Sequence, residues 1–291
     1  MRERDQLVAS YYTLTGAPVG HPPRFSFEDR VAAAAEAGFA GIGLLSDDYA
    51  SLRGEGRGDA DLRAVLDDHG IRVTEIEFLF GWAGDDPSAV ELEATLHAMT
   101  DAFSPHHLTC GDVGLPGDGP SLDLITERFA GVCDRAAEHG TRVALEFLPW
   151  SAIPDLRRAW TIVDGAGRSN GGMLVDAWHY YRGTPDDELL GSLPPSAVVG
   201  VQLDDAAAQP EGSAMEDTIL RRRLPGAGCF ELVSLVRTLD AIGVDVPYSV
   251  EIMSTEEQAR PVRESAQRAH DATAAVLQHA RTSAAPPADG R

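Results

Sequence analysis

Short apolar runs and helical patterns alternate along the chain. The apolar runs lie at residues 7–14, 41–45, 73–80, 106–112, 143–148, 172–178, 198–203 and 248–253. The helical patterns lie at residues 27–38, 59–70, 88–103, 122–140, 153–167, 184–193 and 229–243. A strand followed by a helix, repeated in this way, predicts a parallel sheet whose crossover helices cover its strands.

The number of repeats favours a closed barrel. Eight predicted strands, with helical patterns between them, in 291 residues fit an α/β protein made of a single (β/α)8 TIM barrel. An open doubly wound sheet is the alternative, but it usually carries a glycine-rich phosphate loop after its first strand. The segment TLTGAPVGHPPRFS follows the first run here and lacks the GxGxxG pattern. We therefore expect one barrel over residues 1–280.

Three segments lie outside this repeat. The tail at 281–291 is small, polar and rich in proline, so we expect it to be disordered, as we do the first few residues. The segment 204–228 is a long connection after the seventh run. Long loops that follow barrel strands usually cover the site, and we expect the same here.

Four of the apolar runs contain a polar residue near their C-terminal end. They are Glu146 in VALEFLPW, Asp176 in MLVDAWHYY, Gln202 in VVGVQLDD and Glu251 in YSVEIMS. Alternate residues of a barrel strand face the lumen and the helices. The apolar residues expected to face the helices are Val143, Leu145, Phe147, Met173, Val175, Val199, Val201, Leu203, Tyr248, Val250 and Ile252. The four polar residues then face the lumen near the C-terminal face, where barrel active sites lie.

Neighbouring strands bring these four side chains to one place. Three carboxylates in one barrel mouth would repel one another and raise each other's pKa. A divalent cation removes that conflict, and an all-oxygen set suits Mn²⁺ or Mg²⁺ with positions left open for substrate oxygens. The alternative is that each acid pairs with a nearby Arg or Lys, but the four runs contain neither residue. For Gln202 alone, a plain hydrogen-bonding role is also open.

Composition narrows the partners and the compartment. The net charge of −22 argues against nucleic acid or an anionic membrane, since phosphate binding needs Lys and Arg, and leaves a small molecule as the expected partner. Cys110, Cys133 and Cys229 form no CxxC pair and no zinc-ligand spacing, which fits a reduced chain. The N-terminus lacks the apolar region of a signal peptide, and no apolar run approaches the ~18 residues of a membrane span. A cytoplasmic protein is therefore expected.

The order of the four polar residues resembles that of the xylose-isomerase-like TIM-barrel superfamily of sugar isomerases, epimerases and related lyases. That family has a Glu after strand five, an Asp after strand six, a His or Gln after strand seven and a Glu after strand eight. Glu146, Asp176, Gln202 and Glu251 match this order, and Asp176-Ala-Trp-His179 matches the Asp-x-x-His of strand six. The resemblance implies that the four residues hold the metal and that His179 contacts substrate oxygens.

The sequence departs from the sugar epimerases in two places. Many of them carry His after strand seven with an Arg shortly beyond it, whereas this chain has Gln202 and, further on, Ala208. The Glu common after strand two is missing, because GIGLL has Gly43 or Leu44 there. The stretches VQLDDA and RRRLPGAG are more similar to members with a Gln ligand, including bacterial 3-dehydroshikimate dehydratases.

Those dehydratases use an Arg before a Pro-Gly-x-Gly turn to help hold an anionic substrate. Arg222 or Arg223 would take that place in this chain, with a solvated basic cluster as the alternative. The superfamily also contains endonuclease IV-type repair enzymes, which need several His ligands and a basic surface. The strong acidity of this chain argues against that activity.

Two carboxylates beside one metal predict proton transfer next to a carbonyl. Either Glu146 or Glu251 removes a proton to give a metal-bound enediolate, and the other returns it. The predicted activity is therefore a divalent-metal-dependent isomerase or epimerase of a sugar- or polyol-like hydroxy-ketone. If a β-hydroxyl is placed to leave, with His179 protonating it, the enzyme is a dehydratase of a cyclic hydroxy-ketone or keto-sugar. A barrel that binds a sugar-like ligand without turnover is a third alternative.

Further residues are candidates for substrate binding. Glu77, in VTEIEFLF, is expected near the mouth with Phe78 facing outward, and it either binds a substrate hydroxyl or forms a salt bridge. Trp150 follows strand five, and aromatic faces often line sugar pockets, although packing is the alternative. His107 either faces the lumen as a binding residue or is a satisfied core histidine. A homo-oligomer is an open expectation, since barrels of this group often associate.

Overall fold

Eight parallel strands pair in chain order, and the last pairs with the first to close a barrel. The computed structural model describes residues 2–84, 87–111, 114 and 120–282. The strands are β1 Leu7–Ala9, β2 Gly41–Leu45, β3 Arg72–Leu79, β4 His107–Gly111, β5 Arg142–Glu146, β6 Gly171–Asp176, β7 Val198–Leu203 and β8 Tyr248–Val250. The predicted (β/α)8 TIM barrel is confirmed.

Helices surround this barrel. They are α1 Tyr11–Thr15, α2 Phe27–Ala37, α3 Ser46–Gly54, α4 Asp59–His69, α5 Ser88–Phe103, α6 Leu122–Glu138, α7 Leu156–Ala166, α8 Ala177–Arg182, α9 Asp187–Leu190, α10 Ala214–Leu220, α11 Leu232–Ile242, α12 Thr255–Gln258 and α13 Val262–Thr282. Local sequence explains several of their ends. The Ser26 hydroxyl accepts a hydrogen bond from the Asp29 amide at the start of α2, and Gly38 ends that helix with a φ of 98°, a conformation that favours glycine.

The first strand is shorter than its apolar run. The run at 7–14 divides into β1 and α1, so the prediction of one strand there is wrong. The Thr13 hydroxyl donates to the Val250 carbonyl at 2.7 Å and accepts from the Ile252 amide at 2.9 Å. These contacts with the end of β8 stabilise the helical turn, and a pattern within residues 7–14 cannot show them.

Other differences lie in the helices and at the termini. The predicted helix at 184–193 is reduced to α9, and α13 was not among the predicted helices. The last helix, α13, runs to Thr282, two residues past the expected boundary at 280, and residues 283–291 lie outside the described residues. Near the N-terminus, Glu3–Asp5 form a 3-10 helix, so the expectation of disorder is wrong for these residues.

Most residues predicted to face the helices do so, but Val199 does not. Val143, Leu145 and Phe147 belong to the large core between strands and helices. Val199 instead packs with Ala144 and Leu174 in the lumen. The cause is a shift in the pairing of β6 with β7: Met173 pairs with Val198, and Leu174 pairs with Gly200, which leaves Val199 as an extra residue. Such a bulge reverses the alternation of side chains along a strand.

Two further findings concern the cysteines and the apolar character of the helices. Cys110 and Cys133 are buried, Cys229 is exposed, and all three are free. Within the described part of the chain, no helix has the length and apolar character needed to cross a membrane.

Candidate active site

The barrel brings the four predicted polar residues to one end of the lumen. Glu146 and Asp176 are the last residues of β5 and β6, Gln202 lies near the end of β7, and Glu251 follows β8 directly. All four side chains are buried. A cavity of about 200 Å³ opens over them, and its lining includes Glu146, Gln202 and Glu251. The four side chains therefore converge at the C-terminal face of the barrel, as predicted.

A guanidinium group lies among these acids. Arg222 Nη1 is 2.7 Å from Asp176 Oδ2 and 2.9 Å from Glu251 Oε2, and it also donates to Asp204 Oδ2. The Arg222 side chain is fully buried and lines the cavity. None of the described strands supplies a cationic partner for these acids, as the sequence indicated, but the long loop after β7 supplies Arg222. Arg223 lies outside the cavity lining and pairs with Glu211 at 3.1 Å.

His179 links Glu146 to Asp176. Its Nε2 atom is 3.4 Å from Glu146 Oε1 and 3.8 Å from Asp176 Oδ2, and its backbone amide donates to Asp176 Oδ1. The rings of Trp150 and Trp178 each lie 5.3 Å from the His179 ring. Burial lowers the pKa of His179 to about 4, so the imidazole is neutral at neutral pH. A neutral imidazole can either donate or accept a proton at Nε2.

The Ser10 hydroxyl was missed in the sequence. Its Oγ atom is 3.0 Å from Glu251 Oε1 and 3.3 Å from Glu77 Oε1, and it is 3.5 Å from Gln202 Nε2. Ser10 therefore connects the start of the chain to acids on β3 and after β8. A small polar residue at the C-terminal end of the first strand is the available signal, but the prediction of one strand over residues 7–14 hides that strand end.

Burial and neighbouring charges shift the pKa values of the carboxyl groups in the site. Burial, and then the charges of Asp176 and Glu251, raise the pKa of Glu146 well above its ordinary value. Burial also raises the pKa of Glu251 to about 7, against the opposing charge of Arg222. For Asp176, burial acts to raise the pKa, but the Arg222 charge and hydrogen bonds outweigh it and the pKa is lowered. The Arg222 guanidinium thus stabilises the ionised form of Asp176 but does not offset the burial of Glu146 and Glu251.

The residues present fit a divalent cation. Glu146, Asp176 and His179 each offer a ligand atom, and these atoms lie within 4.8 Å of one another. Gln202 Oε1 is buried and has no hydrogen-bond partner among the described residues, which leaves its oxygen available as a ligand. The His179 nitrogen was not in the predicted all-oxygen set. Mixed oxygen and imidazole ligands also suit Zn²⁺.

Two of the remaining predicted binding residues reach the cavity and one does not. Glu77 and Trp150 line it. His107 is the first residue of β4, at the opposite end of the strand from the cavity, where its Nε2 atom is 3.8 Å from Glu75 Oε2. Burial lowers the pKa of His107 well below its ordinary value. Its ring nitrogens have no hydrogen-bond partner among the described residues. The alternative prediction, a core histidine whose hydrogen bonds are satisfied, is therefore wrong as well.

Phe78 also differs from expectation. It lines the cavity instead of facing the helices. The pairing of β3 with β4 shifts between Ile76 and Leu79, so the side chains after Ile76 no longer follow simple alternation. Leu79, and not Phe78, packs in the core between strands and helices.

The comparisons with known proteins concern the family and the fold. Residues 31–272 match the family described as xylose isomerase-like TIM barrel. The chain belongs to this family.

Two curated members are enzymes of different reaction types. A 3-dehydroshikimate dehydratase of Pseudomonas aeruginosa is 25% identical over 244 residues, which cover 82% of this chain but 38% of that protein. An inosose isomerase of Bacillus subtilis is 27% identical over 159 residues, 54% of this chain and 55% of the isomerase. The matches therefore span less than two thirds of either relative.

A solved structure supports the fold independently. The crystal structure of an IolI protein with a bound zinc atom aligns with a TM-score of 0.82 and covers 94% of this chain and 98% of that one. The identity is 18%, so this likeness concerns the fold. That protein was solved with a zinc atom bound.

Several other residues that line the cavity of this protein were not predicted from the sequence. Most of them come from loops and short helices, where no periodic pattern marks the inward face, whereas Thr109 lies on β4. Those that line the cavity include Tyr12, Phe80, Thr109, Met215, Thr218 and Ile219. Met215, Thr218 and Ile219 lie on α10, within the segment 204–228 that was expected to cover the site.

Asp205 holds the loop that carries Arg222. Its Oδ1 atom accepts hydrogen bonds from the amides of Ala206 and Phe230, and its Oδ2 atom accepts one from Gly226. Its backbone pairs with that of Arg223, with N–O distances of 2.9 and 2.7 Å. The carboxylate therefore fixes the Pro-Gly-Ala-Gly turn against the end of β7.

We expect Asp205→Ala to lower the free energy of unfolding by about 3 kcal/mol or more. Three amides would lose their acceptor, and each buried unsatisfied group costs about 1–3 kcal/mol. Urea denaturation measures the change. Asp205→Asn keeps one acceptor oxygen and should cost less. An Asp205→Ala protein within about 0.5 kcal/mol of wild type, the range of an ordinary surface change, would show that the turn does not depend on this carboxylate.

Proposed function

We propose that this protein is a divalent-metal-dependent isomerase or epimerase of a sugar-like hydroxy-ketone. The observation that carries the proposal is the pair of buried carboxylates Glu146 and Glu251. They come from β5 and the end of β8, three strands apart around the barrel, so they approach a bound ligand from different sides. Moving a proton between two faces of one carbon needs two such groups, and moving it between two carbons can use both.

The residues that would hold the metal are Glu146, Asp176, Gln202 and Glu251. A bound divalent cation would polarise the substrate carbonyl and lower the pKa of the neighbouring C–H group. Mn²⁺, Mg²⁺ and Zn²⁺ are all compatible with oxygen ligands and one imidazole nearby. Asp176 and Glu251 are held in place by Arg222, whose Nη1 atom contacts both.

The chain's own groups would then carry the proton. One of the two glutamates takes it from the carbon beside the carbonyl, and the other delivers one to the product. Neutral His179, 3.4 Å from Glu146, can hydrogen-bond a substrate oxygen at Nε2. Glu77 and the Trp150 ring line the same cavity and would bind hydroxyl groups and cover a ring face. The net charge of −22 fits a small molecule better than a nucleic acid.

A dehydratase is the second candidate, and Arg222 favours it. A fully buried guanidinium that lines the cavity suits the carboxylate of an anionic ring. The dehydratase relative also matches over 82% of this chain. In that reaction the first proton transfer is the same, but a β-hydroxyl then leaves as water, with its proton relayed from the protonated glutamate through neutral His179.

Inosose and 3-dehydroshikimate separate the two candidates. Both are cyclic hydroxy-ketones, but only the second carries a carboxylate. We expect the metal-loaded protein to convert inosose to an isomer that NMR detects, without loss of water. An ultraviolet-absorbing aromatic product from 3-dehydroshikimate, with inosose unchanged, would support the dehydratase instead. No change in either compound with Mn²⁺, Mg²⁺ or Zn²⁺ would count against both.

A further inference from the structure

A second and larger cavity adjoins the cavity over the acids. Its volume is about 510 Å³, against about 200 Å³ for the first. The two share the wall formed by Tyr12, Val19, Leu45, Phe78 and Phe80. Small-molecule sites usually measure about 300–1,000 Å³. The inner cavity alone is therefore smaller than a usual ligand site, whereas the two cavities together have the volume of one.

The shared wall is aromatic. The rings of Phe78 and Phe80 lie 4.4 Å apart at 32°, and Tyr12 faces both cavities. Phe80 is 43% exposed. Large apolar side chains with this exposure are few among the described residues (Phe80, Val90 and Met215), and Phe80 and Met215 both line the inner cavity. Apolar surface collected at the rim of a site is what a bound ligand covers.

The charges of the outer cavity exclude an anionic ligand group. Its lining contains no Arg or Lys. Asp48 is paired with Arg30 at 2.6 Å, but exposed Asp47 forms no ion pair within the described part of the chain. A phosphate or carboxylate would meet this acid without any compensating cation. The Asp47 carboxylate and the His21 ring instead suit the hydroxyl groups of a neutral ligand.

We propose that the substrate has two rings. The hydroxylated ring that reacts lies at Glu146 and Glu251, and a neutral second ring joined to it lies in the outer cavity. The face of the second ring packs on Tyr12, Phe78 and Phe80, and its hydroxyl groups face Asp47. The chemical class is a glycoside whose second unit is either an aryl group or another sugar, since both offer a flat apolar face. This inference rests on the proposed function, because it takes the inner cavity as the place of reaction.

Binding to the metal-loaded protein tests the proposal. The ligands are D-glucose, phenyl β-D-glucopyranoside and cellobiose, and isothermal titration calorimetry measures each affinity. We expect at least one two-ring compound to bind about tenfold more tightly than D-glucose. Tighter binding of the phenyl compound would indicate that the second ring is an aryl group, and tighter binding of cellobiose would indicate that it is a sugar. Equal affinities for all three, or no binding of any, would overturn the proposal.

A cavity-filling variant makes the test specific to the outer cavity. Ser51 is exposed on α3 and lines only the outer cavity, so Ser51→Trp should remove the gain in affinity while D-glucose binds as before. Ala50 is exposed on the same helix and lines neither cavity, so Ala50→Trp should keep the gain. If both variants lose it equally, the second ring does not lie in the outer cavity.

The outcome is separable from that of the proposed function. Conversion of inosose concerns only the inner cavity and the acids in it. If inosose is converted but two-ring ligands gain nothing, the two-ring inference fails and the isomerase proposal stands. If two-ring ligands bind as expected but no ketone is converted, the inner cavity is a binding site and the proposed reaction fails.

Discussion

Glu146→Gln should reduce turnover by about 10²–10⁴-fold, the range for loss of a general acid or base. Glutamine has the shape of glutamate but cannot accept a proton from carbon. The Glu146 side chain is buried, and the neutral His179 ring lies 3.4 Å from it, so the fold should be unchanged. The rate is measured on whichever ketone the wild-type protein converts. Metal content, measured alongside, separates loss of a metal ligand from loss of a proton acceptor.

Glu75→Gln is the matched control for that variant. Glu75 is also a buried lumen glutamate, but it does not line the cavity, and it accepts a hydrogen bond from the Ser249 hydroxyl at 2.6 Å. Burial raises the pKa of Glu75, so a neutral amide resembles the form that burial favours. We expect nearly full turnover from Glu75→Gln. Equal loss in both variants would mean that any change in the lumen impairs the enzyme, and full activity of Glu146→Gln would exclude its proposed role.

Arg222→Met should lower the free energy of unfolding of the metal-free protein by about 3–5 kcal/mol, as when one partner of a buried ion pair is removed. Asp176, Asp204 and Glu251 all lie against this guanidinium. Without it they repel one another in a buried site. A cation that binds only the native state then stabilises the variant, by an amount that grows with its concentration. Urea denaturation with a chelator and with Mn²⁺ measures both effects.

Arg223→Met provides the comparison. Arg223 is the next residue in the same loop, but its partner Glu211 is exposed and the pair is only partly buried. Exposed ion pairs contribute about 0–1 kcal/mol, so this variant should lose no more than that and should respond to Mn²⁺ as the wild type does. If Arg222→Met gains no more from Mn²⁺ than Arg223→Met does, the acids around Arg222 do not form the metal site.

The sequence was sufficient to predict the barrel fold and the position of its acidic residues in the lumen. Alternation in VALEFL and YSVEIM put Glu146 and Glu251 in the lumen because the register of β5 and of β8 is regular there. The same rule failed for Val199 and Phe78, where the strand pairing shifts by a residue. A shift of this kind depends on the neighbouring strand, and residues within one run do not reveal it.

The rest of the site depends on contacts between distant parts of the chain. Arg222 reaches the acids because Asp205 fixes its loop through amides as far away as Phe230. Ser10 joins Glu251 across 241 positions. Neither placement follows from local propensity or periodicity, since loops lack a repeating pattern that distinguishes an inward from an outward face.

Exchange of the substrate's carbon-bound proton with solvent tests the central claim most directly. The protein is stripped of metal with a chelator, restored with Mn²⁺, Mg²⁺ or Zn²⁺, and incubated in D₂O with inosose, and NMR follows deuterium at the carbon beside the carbonyl. We predict exchange with the restored protein, none above background with the stripped protein, and a loss of about 10²–10⁴-fold in restored Glu146→Gln. Exchange that continues undiminished in the stripped protein or in Glu146→Gln would contradict metal-assisted proton transfer by this carboxylate pair.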